Sequence, residues 1–141
     1  MLRRLLLFLF FALPPIAANA ESIVVVVNPE SGVESLSRDE VINIFLGRFR
    51  QFPTGNMALP IDLSREDPVR REFYQRLVGK TPSEINSYWS RLILSAKTRP
   101  PIQVERVEDA LTLVHRSASA IAYLERRQMN KPMRIVFELP L

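Results

Sequence analysis

Cysteine is absent from the 141 residues, and histidine occurs once. With no thiols there is no disulfide framework, so the core must hold the chain together unaided. There is likewise no cysteine to tether a lipid at a processed N-terminus. A lone histidine, His115, argues against a zinc or iron site of the usual nitrogen and sulfur type. No cofactor or metal is expected. Massed charge is missing too. Lysine and arginine total 19 against 15 acidic residues, but the basic residues stand singly among acids, so nucleic acid is not an expected partner. Beyond the N-terminal segment the chain has neither repeats nor low-complexity runs.

Long apolar runs are also lacking. The one at Leu5–Leu13 follows Arg3 and Arg4 and is broken by Pro14-Pro15, well short of the roughly 20 residues that cross a bilayer. A charged start, a short apolar core and the small-residue ending Ala18-Asn-Ala20 form the pattern of a secretory signal peptide, with cleavage expected after Ala20. The mature protein is then expected to be periplasmic, with no stable membrane anchor. Without Arg3 and Arg4 the mature charge falls to 17 basic against 15 acidic residues, a net of +2. Residues 21–141 suffice for one modest domain.

Within that domain, Ile23–Val27 is a continuous β-branched run, which predicts a strand covered on both faces. Ser37 and Glu40 form a capping box with Leu36 and Val41 as a hydrophobic staple, opening a helix that ends at Gly47. A short strand is expected over Ala58–Leu63. Asp67-Pro68 caps a second helix with Val69, Phe73 and Leu77 inward, ending at Gly79. Thr81-Pro-Ser-Glu84 caps a third, expected to bury Ile85, Trp89 or Tyr88, Leu92, Ile93 and Ala96. After the connector Lys97–Pro101, Val107–His115 reads as a short helix with Ala110, Leu111 and Val114 inward. Ser119–Leu124 and Arg134–Phe137 read as two closing strands. The order β-α-β-α-α-α-β-β indicates an α/β domain with a mixed sheet flanked by helices.

Helix starts that follow strand ends attract anions through free N–H groups and the helix dipole. Two occur: Asn28-Pro-Glu-Ser31-Gly32 before the first helix, and Ser64-Arg65-Glu66-Asp67 before the second. Ser64 offers a hydroxyl and Arg65 a bidentate fork. Capping accounts for the same residue types without any ligand, and Arg65 has Glu66 and Asp67 beside it. Arg48, Arg50, Lys97 and Arg99 fall in loops, either simply exposed or rimming one anion site. Catalysis finds no support. His115 suits the C-terminal dipole of its helix, Glu105, Glu108 and Asp109 suit a solvated helix start, and Tyr88 and Trp89 suit core packing.

The ordered set Leu36-Ser-Arg-Asp-Glu-Val-Ile-Asn-Ile-Phe-Leu-Gly47, Leu59-Pro-Ile61 and Ala118-Ser-Ala-Ile-Ala-Tyr123 resembles the substrate-binding proteins of phosphate ABC transporters, over most of residues 23–124. The resemblance implies a single lobe of the type II periplasmic-binding-protein fold and a non-enzymatic protein that binds phosphate or a similar small oxyanion. It places the family's binding loop at Ser64 and Arg65, and the helix-start reading adds Ser31 and Gly32 as the other candidate ligand-binding residues. The family commonly grips phosphate with a Gly-Ser-Gly-Thr turn. Here the corresponding stretch is Ser64-Arg65-Glu66-Asp67-Pro68, which lacks the glycines and adds two carboxylates, so weak binding is expected. The alternative is an accessory module that keeps the receptor fold without a ligand, its open face covered by an envelope protein partner or in a homodimer.

Overall fold

The computed structural model describes residues 22–95 and 97–139. The expected signal peptide, and Ala96 of the third helix's apolar stripe, lie outside the described residues. Strands β1 (Ile23–Val27), β2 (Leu59–Asp62), β3 (Ile102–Gln103), β4 (Ala120–Glu125) and β5 (Arg134–Leu139) form one sheet in the order β3-β2-β4-β1-β5. Around it lie helices α1 (Arg38–Phe45), α2 (Pro68–Val78), α3 (Pro82–Leu94) and α4 (Val107–Arg116). The sheet is mixed, as the element pattern predicted: β1 runs antiparallel to β4 and β5, while β2 runs parallel to β3 and β4.

Successive strand residues point to opposite faces, so a strand buried at every position needs cover on both sides. All five residues of β1 are 0–2% exposed, which meets that expectation. Between Val25 and Val26 the ladder to β5 slips by one residue and passes over Val136. The carbonyl of Val136 instead accepts the N–H of Leu36 at 2.8 Å, which fixes the chain's approach to α1.

The helix ends follow the sequence closely. Ser37 and Glu40 exchange both capping-box hydrogen bonds, and Leu36 and Val41 are buried beside them. Asp67 accepts from the N–H of Val69 with Pro68 opening α2, and Thr81 and Glu84 box the start of α3. Gly47 follows α1 at φ +69°, and a Cβ there would sit 2.8 Å from both Trp89 and Thr98. Backbone conformation and tight packing therefore both require glycine at that position.

Two expectations need correction. Ile93 is 54% exposed rather than buried, because α3 faces the core through Ile85, Trp89 and the half-buried Leu92, and Ile93 lies at the edge of that stripe. The connector after Ala96 also leads into β3, a strand too short to leave a periodic signal. Tyr88 is half-buried, and its hydroxyl donates to the carbonyl of Leu46 at 2.6 Å, tying α3 to the end of α1.

Strand direction decides which loops share an end of the sheet. Val27, at the end of β1, pairs with Ile121, and Ile121 pairs with Pro60 near the start of β2. The segment after β1 and the segment after β2 therefore emerge at opposite ends.

Candidate functional site

β2 ends in a carboxylate. Asp62 lies between buried Ile61 and Leu63 and is itself 4% exposed. The turn Ser64–Asp67, closed by Asp67 N–H donating to the Ser64 carbonyl at 3.0 Å, sets the first turn of α2 over the strand end. Arg70 and Tyr74, four residues apart, share a helix face and both reach Asp62. Arg70 Nε donates to Asp62 Oδ2 at 3.2 Å, and the Tyr74 hydroxyl donates to the same oxygen at 3.1 Å. From β4, the Tyr123 hydroxyl donates to Oδ1 and accepts from the N–H of Leu63 at 3.1 Å. Beneath this network Tyr123 stacks on Phe73 at 3.8 Å, with Phe45 edge-on to both rings.

Burial pushes the Asp62 carboxyl above its ordinary range, against the pull of the Arg70 charge and the hydrogen bonds from Tyr123, Arg70 and Tyr74. Burial is the largest single effect on the Arg70 cation and works against it, but the charge of Asp62, Tyr74, Tyr123 and the hydrogen bond to Asp62 together raise the guanidinium above its ordinary value. Burial, then the Asp62 charge, drives both tyrosines well above their usual value, so both remain donors. The result is an ion pair shut away from water.

Beside the pair lies a cavity of about 150 Å³. Asp62, Arg65 and Arg70 line one side, Trp89, Ser90 and Ile93 of α3 another, and Pro101 and Gln103 a third. Arg65 is exposed. Arg70 Nη1 and Trp89 Nε1 are buried without a hydrogen-bond partner. Ser64 is half-buried, and its hydroxyl donates to Glu66 at 2.7 Å, which draws the exposed Glu66 carboxyl below its usual range.

Ser31 and Gly32 follow β1 and so stand at the other end of the sheet. Ser31 is buried and accepts from the N–H of Val33, and Gly32 turns at φ +77°. Asn28 donates to the carbonyls of Val114 and His115, closing the end of α4. The two pairs of sequence-nominated residues therefore do not form one site. Among the loop arginines, burial and then the nearby charge of Arg99 push Arg50 down, and its Nε and Nη2 are buried without a partner. Arg48 instead lines an open groove of about 1250 Å³ between α1 and α3, where Lys80, Glu84 and Arg91 are also exposed.

Sequence reasoning missed Asp62, Arg70, Tyr74 and Tyr123. The available signal was a carboxylate inside an apolar strand and an arginine beside the Val69–Phe73 stripe. Among the described residues no cluster of acidic, histidine or cysteine side chains suits a metal, and no helix is long and apolar enough to cross a membrane.

No family model and no curated protein matches the sequence. Solved structures do match the fold. A Clostridium perfringens structure with bound phosphate, described as a phosphate ABC transporter substrate-binding protein, superposes with a TM-score of 0.66 at 12% identity. An ABC-type phosphate transport receptor of Vibrio cholerae gives 0.63 at 15%, and PstS of Borrelia burgdorferi 0.62 at 12%. Each match covers 82% of this chain but only 44%, 45% and 46% of the respective neighbour, so the chain spans less than half their length. The chain has the fold of a single periplasmic-binding-protein lobe, similar to a little under half of each of these phosphate ABC transporter substrate-binding proteins.

Proposed function

We propose that this protein is an exported, periplasmic, non-enzymatic binding module that takes phosphate or a similar small oxyanion weakly. Its seat is the approach to α2, with Arg65 as the contact at the mouth and Ser64 shaping the turn. The observation that carries this reading is the cavity behind Arg65, where the buried guanidinium of Arg70 keeps one nitrogen without a partner. The helix start adds a favourable dipole in the same small volume. Weak binding follows from the charges: Asp62 already neutralises Arg70, and Glu66 lies beside Arg65.

Calorimetric titration of the mature protein with phosphate and sulfate tests the reading. A dissociation constant of micromolar order, about −8 kcal/mol, supports it. No heat and no thermal shift at millimolar anion overturns it. Arg65→Ala should weaken binding by about 1.5–3 kcal/mol, while stability changes by no more than about 0.5 kcal/mol at this exposed position. Unchanged affinity in Arg65→Ala would move the seat to Ser31 and Gly32 at the opposite end of the sheet.

The second reading is an accessory module without a ligand. What favours it is the exposed apolar group Ile93, Leu94 and Ile102, at 54%, 88% and 43% exposure. A homodimer or an envelope protein would cover such residues. Light scattering after size exclusion, followed by affinity capture from envelope extract, separates the readings: a strict monomer that binds anion and captures nothing excludes this one.

A further inference from the structure

The chain's 15 acidic residues all lie outside two segments, 41–61 and 85–104, which carry the cations Arg48, Arg50, Arg91, Lys97 and Arg99. The same two segments hold every large apolar side chain that stands exposed among the described residues. These are Phe49 at 58%, Met57 at 68%, Ile93 at 54%, Leu94 at 88% and Ile102 at 43%. Far apart along the chain, the two segments are joined by the fold. Tyr88 donates to the Leu46 carbonyl at 2.6 Å, and a Cβ on Gly47 would sit 2.8 Å from both Trp89 and Thr98. Arg48 and Arg91 line the same groove, and the charge of Arg99 acts on Arg50. Among the described residues, none of the five cations has an ion-pair or hydrogen-bond partner for its side chain. The one carboxylate of the groove, Glu84, is already engaged by Lys80 at 3.5 Å.

Like charges gathered without a counter-ion repel one another, and apolar side chains exposed among them mark a surface that is covered in use. An anionic partner with an apolar interior satisfies both. Phe49 and Leu94 line neither the groove nor the cavity beside Asp62, so they stand out from the surface instead of enclosing a ligand. Projecting apolar tips set among cations suit a bilayer. The tips pass between the headgroups, while arginine and lysine stay level with the lipid phosphates. A rigid protein partner would instead need a matching pocket for each tip. We propose that this face docks reversibly on an anionic phospholipid bilayer, with Phe49 and Leu94 entering the headgroup layer and Arg48, Arg91, Lys97 and Arg99 meeting lipid phosphates. None of these residues belongs to the seat at Ser64 and Arg65, so lipid binding and anion binding can be lost separately.

The experiment is co-sedimentation of the mature protein with vesicles of equal parts phosphatidylglycerol and phosphatidylcholine, and with vesicles of phosphatidylcholine alone. Only the anionic vesicles should carry protein down, and raising salt from about 0.1 M to about 0.5 M should release it. Arg91→Gln, Lys97→Gln and Arg99→Gln together should weaken partitioning about tenfold or more. The same loss of charge at the exposed Arg106, Arg116 and Lys131 should weaken it far less. Leu94→Gln should weaken it about threefold and leave the unfolding midpoint unchanged, since Leu94 is 88% exposed. No sedimentation with the anionic vesicles overturns the proposal, and so does equal binding to phosphatidylcholine alone. Equal losses in the two triple variants overturn it too, because net charge and not this face then drives binding. A dimer that Leu94→Gln dissolves, without vesicle binding, assigns the face to a second copy of the chain instead.

Discussion

Arg70→Gln tests the buried ion pair directly. The Arg70 and Asp62 side chains are 4% and 6% exposed and meet at 3.2 Å, so the substitution leaves a buried carboxylate without its cation. Breaking one partner of such a pair costs about 3–5 kcal/mol. The lost packing of the guanidinium over the Tyr74 ring, 5.2 Å from its centroid, acts in the same direction. A domain of this kind has about 5–15 kcal/mol in total, so the variant should remain folded in dilute buffer but unfold early. With a urea m-value of about 2 kcal/mol per molar, the midpoint should fall by about 2 M. The loss should also depend on pH. Asp62 has a folded value raised above 3.8 by burial, and the Arg70 charge is the largest effect opposing that rise. A carboxyl raised in the folded state contributes stability that is present below its unfolded value and lost as pH rises through the folded one. Without Arg70 the folded value climbs further, so the penalty is least near pH 4 and grows toward neutrality. Urea melts of wild type and variant from pH 4 to pH 8 supply the measurement. A pH-independent penalty, or one under about 1 kcal/mol at pH 7, would show that the pair is solvated and would refute the reasoning. Asp62→Asn combined with Arg70→Gln removes both charges and should recover part of the loss.

Gly47→Ala should destabilise by about 1–3 kcal/mol in thermal melts, because a left-handed backbone and a 2.8 Å contact with Trp89 oppose any Cβ there. Ser37→Ala removes the side-chain acceptor of the α1 capping box and should cost about 1 kcal/mol by the same assay. The amides of Val24–Val27 should exchange with solvent only through global unfolding; fast exchange throughout that strand would contradict its double cover.

Much of the fold was legible because its signals are local. A β-branched run without polar alternation marks a strand covered on both faces, and Ile23–Val27 is one. Capping boxes at Ser37 and Thr81, and proline after Asp67, depend on hydrogen bonds within one turn, so the helix starts stand where the residues placed them. The inward face of α4, with Ala110, Leu111 and Val114, followed from helical period alone. Less local features were not legible. β3 has two residues and exists because β2 offers it an edge, and Ile93 is exposed because it lies at the edge of the α3 stripe.

The residues of the candidate site divide in the same way. Chemistry at a helix start is visible in sequence, so Ser64 and Arg65 stood out, as did Ser31 and Gly32. That these pairs lie at opposite ends of the sheet depends on β1 and β2 running in opposite directions, and strand direction is set by long-range pairing through β4. The buried network of Asp62, Arg70, Tyr74 and Tyr123 spans 61 residues of chain from strand to strand. An aspartate in an apolar strand signals only that some partner is needed, because burying a charge is unfavourable unless it is paired. Helix caps and buried runs are decided by neighbours within a few residues, and the sequence by itself determined those. Only tertiary structure decided which cation meets Asp62, and which walls enclose the cavity beside it, because those contacts join segments that nothing local brings together.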